Sequence, residues 1–202
     1  KMPEVILSTK EFINRFPQGS NIIEIKSASR VAQIYNATYD TKKESDILIN
    51  TDYVEITPEV FELLLFLTSK YRTKIIGRSP VNLHHYLGNV NMFERANFIK
   101  STKVLVDLNT QECWDAAYLK IPAVCKEAPQ NHFFTFKDIK NLKSIVNRLL
   151  KEDDNRTRYI NSCYREVCNG NTYYHLVHKM FKSMNDTRTT EHLEDYIQEM
   201  IG

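Results

Sequence analysis

The stretch Lys103–Glu127, KVLVDLNTQECWDAAYLKIPAVCKE, predicts a strand, a helix and a second strand in succession. Its aliphatic run VLV turns polar at Asp107, which is typical of a buried strand that ends there. Pro122 ends the helix, and the residues AVC after it predict another short strand. Two strands joined by a helix of this length form a right-handed βαβ unit, in which the strands are parallel.

The polar residues of this stretch collect at the end of its first strand. Ligands of parallel sheets bind just beyond the carboxyl ends of the strands. A helix capped by Thr110 begins there, and its free backbone N–H groups suit a diphosphate. Asp115 lies one turn further along, where it either contacts a ligand or is an ordinary solvated helix residue. The candidate binding residues from this stretch are Asp107, Asn109, Thr110, Gln111 and Asp115.

Strands and helices alternate before this stretch. The pattern predicts a strand at Asp46–Asn50, a helix from Pro58 to about Lys70 with Thr57 as its cap, and a strand at Lys74–Gly77. It then predicts a short strand at Tyr86–Val90 and a helix at Met92–Lys100. This alternation indicates an α/β fold with a mostly parallel sheet and helices on both faces. We expect Lys103–Leu108 to be its central strand, flanked by the strands that begin near Lys74 and Pro122.

The two ends of the chain are organised differently. After the central unit we expect a strand at Phe133–Phe136, a helix capped by Asp138 that ends near Lys151, and two closing helices. At the amino terminus we expect short strands near Glu4–Leu7 and Ile22–Ile25, with a helix that begins near Ser8 between them. Residues 1–45 are interpreted as a linker or the tail of a missing lobe, and residues 46–202 as the main domain.

Composition limits the classes of function. The chain has 202 residues, 42% of them hydrophobic and 26% charged, and a net charge of +2, so nothing in the charge balance requires nucleic acid. The longest apolar run, Phe61–Leu67, is too short to span a bilayer. The four cysteines form no Cys-x-x-Cys motif, which favours reduced thiols and a cytoplasmic protein.

Several kinds of site lack their motifs. No glycine-rich dinucleotide loop and no P-loop is present, and no serine or cysteine has the context of a nucleophile elbow. His84-His85 and the pair His175 and His178 have no further ligands at a familiar spacing, so we expect no metal site.

The segment Asp115–Val124, DAAYLKIPAV, resembles the Glu-Ala-x-Ala-x-Gly-x-Pro-Val-Val signature of GT-B glycosyltransferases. Asp107 and Asp115 are eight residues apart, as in the Glu-x7-Glu motif of many retaining members. The closest resemblance is to the spore-maturation-protein-like branch, and it spans roughly residues 46 to 184. The chain departs from the pattern at Lys120, where the family has Gly, and at Asn50-Thr51-Asp52, where the family commonly has Gly and a basic residue.

The resemblance implies a Rossmann-like carboxyl-terminal domain that binds a nucleotide-sugar donor. It assigns Asp115 to the ribose and the backbone near Gly88 to the nucleobase. Arg78, directly after the strand KIIG, either binds a phosphate through its bidentate guanidinium or is an exposed loop arginine. The donor would be a UDP- or GDP-sugar, with no further cofactor, and a second lobe or a second copy of the chain would complete the enzyme. The alternative is a non-enzymatic Rossmann-like interaction module whose nucleotide site has decayed.

Overall fold

The computed structural model of the chain describes residues 6–8, 22–24, 42–109, 111–127, 133–151 and 153–201. The strands are β1 (Ile6–Ser8), β2 (Ile22–Glu24), β3 (Ser45–Asn50), β4 (Thr73–Ile76), β5 (Thr102–Asp107), β6 (Ala123–Cys125) and β7 (Phe134–Thr135). The helices are α1 (Pro58–Lys70), α2 (Met92–Lys100), α3 (Gln111–Tyr118), α4 (Ile139–Leu150), α5 (Asp154–Cys168), α6 (Tyr173–Ser183) and α7 (Thr187–Ile201).

Five of the described strands form one parallel sheet in the order β4-β3-β5-β6-β7. The α/β fold and the central position of β5 are therefore confirmed. The predicted neighbours of β5 are correct on the β6 side and wrong on the other, where β3 pairs with β5 and β4 lies outside β3. The chain winds outward from β3 to β4 and then returns past β3 to form β5. The winding direction reverses between β3 and β5, and such a switch point is where open α/β sheets bind ligands.

The sheet is buried on both faces, as a parallel sheet requires. Ile47 and Ile49 of β3 pack on one face together with α1 and α4, and Leu48 packs on the other face together with α2, α3 and α5. On the second face Trp114 contacts Phe133 edge to face, with 5.2 Å between the ring centroids. The helices on both faces that the sequence predicts are thus confirmed.

Side-chain caps set the starts of the helices. The Thr57 hydroxyl accepts a hydrogen bond from the Val60 amide at the start of α1. Asn91 and Glu94 form a reciprocal capping box at the start of α2, with distances of 3.0 and 3.1 Å. Asp138 accepts a hydrogen bond of 2.7 Å from the Asn141 amide at the start of α4. All three helices have the bounds that the sequence predicts, to within a residue.

Two predictions after β4 are wrong in detail. Residues 86–90 form no full strand: Tyr86 makes an isolated parallel bridge with Ile75, and Leu87 and Gly88 add backbone hydrogen bonds, to Ile75 and Gly77. Three helices, not two, close the described chain. Gly170, with φ of 138°, separates α5 from α6, and Asn185, with φ of 57°, separates α6 from α7.

The strands β1 and β2 pair in parallel as a separate two-stranded sheet. This agrees with the two amino-terminal strands that the sequence predicts, although the helix predicted between them lies outside the described residues. The division of the chain at residue 45 stays a prediction. Among the helices in the described ranges, none combines the length and the apolar character needed to cross a membrane.

Candidate functional site

A group of polar side chains is buried at the switch point, and we call it the buried polar cluster: Asn50, Asp52, Arg95, Asp107 and Glu112. The Arg95 guanidinium lies at its centre. One nitrogen, Nη1, is 2.7 Å from Asp52 Oδ2, 3.0 Å from Glu112 Oε1 and 3.1 Å from Asn50 Oδ1. Arg95 is 6% exposed. Buried charges persist in proteins when they are paired in this way, so the cluster joins α2 to the carboxyl ends of β3 and β5.

Asp107 ends β5 and accepts three hydrogen bonds. The donors are the Asn50 side-chain amide at 3.2 Å, and the backbone amides of Asn109 and Cys113, each at 3.1 Å. Burial raises the pKa of Asp107 to about 8, and the charge of Glu112 adds to the rise. The carboxyl group therefore lies at the start of α3, where the sequence suggests that a diphosphate binds.

Asp52 links the two sides of the switch point. Its Oδ1 accepts a hydrogen bond of 2.7 Å from the backbone amide of Arg78, and its backbone oxygen accepts one of 3.3 Å from the Asn109 side chain. Gly77 precedes Arg78 and has φ of 139°. A Cβ atom at Gly77 would lie 2.7 Å from the Asp52 nitrogen, so the two loops can approach this closely because residue 77 is glycine.

Beside the cluster lies an open cavity of about 460 Å³, which we call the carboxyl-edge pocket. Its walls come from the loops that follow β3, β5 and β6. The lining residues are Tyr53, Val54, Glu55, Thr57, Val60, Leu108, Asn109, Lys126 and Glu127. A second, more apolar cavity of about 500 Å³ adjoins it between α1 and α4, and the two share Val60, Leu108 and Lys126. A parallel sheet is expected to bind its ligand in such a place.

The predicted site residues lie in two groups along this edge. Arg78 and Gly88 are on the β4 side, where the Gly88 oxygen accepts a hydrogen bond of 3.1 Å from the Gly77 amide. Asn109 lines the pocket, while Asp107 and Asp115 are buried, with Asp115 only 1% exposed. The backbone of Gln111 begins α3 next to Asp107, and Thr110 lies outside the described residues.

Lys120, which occupies the position of a glycine in the signature that the sequence resembles, has a left-handed backbone conformation. Its φ is 57°, in the left-handed region that Gly enters most easily. The Lys120 amide donates to the Ala117 oxygen, and the Ile121 amide donates to the Ala116 oxygen. These two bonds form a Schellman cap after α3. The helix therefore ends in a glycine-type turn that is formed by a lysine.

The prediction of reduced cysteines is wrong for one pair. Cys113 in the first turn of α3 and Cys125 at the end of β6 form a disulfide. Both lie at the carboxyl edge, because α3 starts and β6 ends there, and a spacing of 12 residues places them together without a Cys-x-x-Cys motif. Cys163 and Cys168 are buried and are not joined in a disulfide. A cytoplasmic location stays a prediction.

The sequence interpretation missed Arg95, Glu112, Tyr53 and Lys126. Arg95 precedes the buried Ile99 by four residues, so the helical spacing placed it on the inner face of α2. Met92 and Phe93, which are apolar but exposed, obscured that signal. Tyr53 and Lys126 carry no signal of this kind, because only the folded sheet brings their two loops together. No group of three or more metal-ligating side chains occurs within the part of the chain that the structure describes.

No protein-family model matches the sequence, and no curated protein is significantly similar to it. Among solved structures, Spinosyn Forosaminyltransferase SpnP is similar with a TM-score of 0.52 and 13% identity, over 89% of this chain and 54% of that one. CalG4, the Calicheamicin Glycosyltransferase, has a TM-score of 0.46 and 10% identity, over 93% of this chain and 51% of that one.

The glycotransferase of kitacinnamycin has a TM-score of 0.44 and 10% identity, over 79% of this chain and 47% of that one. The chain spans about half the length of these three proteins. At such identities the likeness concerns the fold alone. The likeness to SpnP supports a Rossmann-like α/β fold for this chain.

Proposed function

We propose that this chain is a glycosyltransferase-like donor-binding domain that holds a nucleotide-diphosphate sugar in the carboxyl-edge pocket. One observation carries the proposal. The pocket is bounded by the loops after β3 and β5, the two strands between which the winding of the sheet reverses. Its volume of about 460 Å³ falls within the range of small-molecule sites.

The pocket offers groups that match each part of such a ligand. Lys126 supplies a positive charge for the diphosphate, and Asn109 lines the same pocket. Glu55 and Glu127 supply carboxylates that accept hydrogen bonds from sugar hydroxyls. The adjoining apolar cavity leaves room for an acceptor or for the face of a second lobe.

Transfer requires more than this domain. In the GT-B likeness the donor lies in a cleft between two lobes, and closure of the cleft aligns the acceptor and excludes water. This chain spans about half the length of SpnP. We therefore expect the isolated chain to bind a nucleotide weakly and to transfer no sugar, until a second lobe or a second copy supplies the acceptor site and the general base.

A calorimetric titration with UDP, GDP and their sugars tests the proposal. We expect binding by the parent chain, and about five- to tenfold weaker binding by Lys126→Ala, equal to about 1–1.4 kcal/mol. Lys137→Ala is the matched control, because Lys137 lines the apolar cavity but not the carboxyl-edge pocket. The absence of binding to every nucleotide, or equal losses for the two variants, would contradict the proposal.

The ribose contact of Asp115 stays a prediction and has its own test. If Asp115 binds the ribose, Asp115→Ala should weaken binding of the same nucleotide by about 1.5–3 kcal/mol, the range for hydrogen bonds to a charged group. Because Asp115 is buried, the melting temperature of the variant must be measured in parallel. Equal affinity in the folded variant would remove Asp115 from the site and leave the pocket itself in place.

One observation favours the alternative of a non-enzymatic interaction module. Asp107 and Asp115, which the resemblance assigns to the donor site, are both buried, and Asp107 already accepts three hydrogen bonds within the chain. Arg95 is likewise paired with two carboxylates. A nucleotide panel without any thermal shift would favour this alternative.

A further inference from the structure

Tyr53, at the rim of the carboxyl-edge pocket, is unusual in two respects. Its side chain is 72% exposed, although tyrosine is large and partly apolar. Its φ is 55°, a left-handed conformation that is rare for bulky residues and easy for Gly or Asn. A tyrosine that is both exposed and held in this conformation gains little stability from packing. Residues of this kind cluster at ligand-binding sites.

The backbone on both sides of Tyr53 is held in place. Val54 donates a hydrogen bond of 3.4 Å to the Thr51 oxygen, which closes the turn around Tyr53. The preceding residue, Asp52, is tied to Arg95 and to the backbone of Arg78. The ring therefore projects from a corner whose geometry is set by buried contacts, before any ligand arrives.

A cation also packs over the Tyr53 ring. The Arg78 guanidinium carbon lies 4.9 Å from the Tyr53 ring centroid, which is a cation–π distance. Tyr53 lines the pocket, whereas Arg78 is not part of the lining. Arg78 therefore covers one face of the ring without lining the cavity, and a second planar group would stack on the face that Arg78 leaves uncovered.

The position of the ring relative to Lys126 indicates which part of a nucleotide it would meet. Tyr53 follows β3 and Lys126 follows β6, with β5 between these strands. The two loops are thus two strand spacings apart, about 10 Å. A nucleoside is long enough to connect an aromatic ring at one side of the pocket to a cation that binds its phosphates at the other side.

We propose that Tyr53 is the stacking platform for the nucleobase, with Arg78 as the residue that positions its ring. This inference rests on the proposed nucleotide-binding function and adds the subsite that distinguishes a nucleotide from a free phosphate or a sugar. Aromatic stacking accepts any base, because every base has a π-face. The choice between uracil and guanine would then depend on the edge of the base, not on Tyr53.

The test compares two substitutions with two kinds of probe. UDP, GDP and inorganic pyrophosphate are titrated into the parent chain, Tyr53→Phe and Tyr53→Gly. Tyr53→Gly should weaken UDP and GDP binding about tenfold, within the range measured for base stacking, and leave pyrophosphate binding unchanged. Tyr53→Phe keeps the ring and should bind both nucleotides within about twofold of the parent.

A stability measurement separates the binding role from a structural one. Because glycine accepts the φ of 55°, the melting temperature of Tyr53→Gly should equal or exceed that of the parent. A lower melting temperature together with equal losses for pyrophosphate and UDP would assign Tyr53 a structural role and overturn the proposal.

The remaining outcomes are also decisive. If the parent binds UDP and Tyr53→Gly binds it equally well, the stacking proposal is wrong while the proposed function stands. If Tyr53→Gly loses affinity for a UDP-sugar but not for UDP, the ring contacts the sugar and the base assignment is wrong. If the parent binds no nucleoside diphosphate, the proposed function and this subsite fail together.

Discussion

The buried polar cluster and the carboxyl-edge pocket lie side by side at the same edge of the sheet and contain similar residue types. In the cluster, one guanidinium nitrogen of Arg95 contacts three acceptors within 3.1 Å, and every member is buried. In the pocket, Lys126 and Glu127 are exposed, and Tyr53 is largely exposed. Polar residues that face each other stabilise the edge, and polar residues that face an open cavity remain available to a ligand.

A charged residue at the carboxyl ends of the strands can therefore either support the fold or bind a ligand, depending on whether it is buried. Asp107 has the position of a ligand-binding acid, yet its hydrogen bonds hold Asn50 and the start of α3. Lys126 has no motif around it, yet it lies where three loops meet. The strand end predicts that polar groups collect there, and only burial separates those that support the fold from those that can bind.

The largest expected effect is on the cluster. Arg95→Ala should lower the free energy of unfolding by about 3–5 kcal/mol, because it leaves buried carboxylates without their partner. Chemical denaturation measures this change. Arg78→Ala is the control, since it keeps the backbone hydrogen bond to Asp52 and removes an exposed guanidinium that contacts the exposed Tyr53 ring. We expect it to change the free energy of unfolding by less than about 1 kcal/mol. Similar losses for the two variants would contradict the view that the cluster, and not the exposed residues beside it, stabilises the edge.

Gly77→Ala tests the corner where the cluster and the pocket meet. Its Cβ would lie 2.6 Å from Thr51 Oγ1 and 2.7 Å from the Asp52 nitrogen, so we expect a loss of about 3 kcal/mol from overpacking and backbone strain. Gly88→Ala is the matched control. Its φ of 90° is also unfavourable, but no atom would lie within 4 Å of the new Cβ. The control should lose only about 1 kcal/mol in the same denaturation experiment, and equal losses would exclude the close approach as the cause.

The pH dependence of stability reports on Asp107. Its pKa is about 8 in the folded chain and near the ordinary value of 3.8 in the unfolded chain. Between these values the folded state binds the additional proton. The contribution to stability is therefore full below pH 3.8 and is lost as the pH rises toward 8. Asp107→Asn should show a shallower decline over this range in denaturation curves, and an unchanged slope would contradict the assignment.

The smallest expected effect is the change in the stability of the chain when a residue of the pocket is replaced. Lys126→Ala should change the free energy of unfolding by no more than about 0.5 kcal/mol, because the side chain is exposed. The same variant should bind the nucleotide more weakly, so we expect a change in affinity without a comparable change in the free energy of unfolding. A large loss of stability would mean that the pocket, like the cluster, is part of the support of the fold.

Local signals in the sequence predicted α1, α2 and α4 to within a residue, although not the number of closing helices. Thr57, Asn91 and Asp138 each cap a helix through a hydrogen bond within three residues, so the relevant information lies in a few neighbouring positions. The strand at the centre of the sheet was also predictable, because a short aliphatic run that turns polar at its end is a local pattern.

The order of the strands could not be predicted from patterns in a few neighbouring positions. Whether β4 or β3 lies next to β5 depends on how helices on opposite faces pack, and both orders place the same residues in the core. The buried polar cluster could not be predicted from the sequence for the same reason. Arg95 lies 45 residues from Asn50 and 17 from Glu112, and the fold alone brings them together.

Lys120 shows that a residue other than glycine can hold a backbone conformation that glycine adopts more easily. The turn after α3 keeps its left-handed residue and both capping hydrogen bonds, although the side chain is that of a lysine, whose amine lies 4.5 Å from the Tyr164 ring centroid. A comparison by amino-acid letters counts Lys120 as a mismatch to a glycine that ends a helix, whereas a comparison by dihedral angles counts the two as a match. Turns of this kind are therefore easier to compare by the handedness of their backbone than by the identity of their residues.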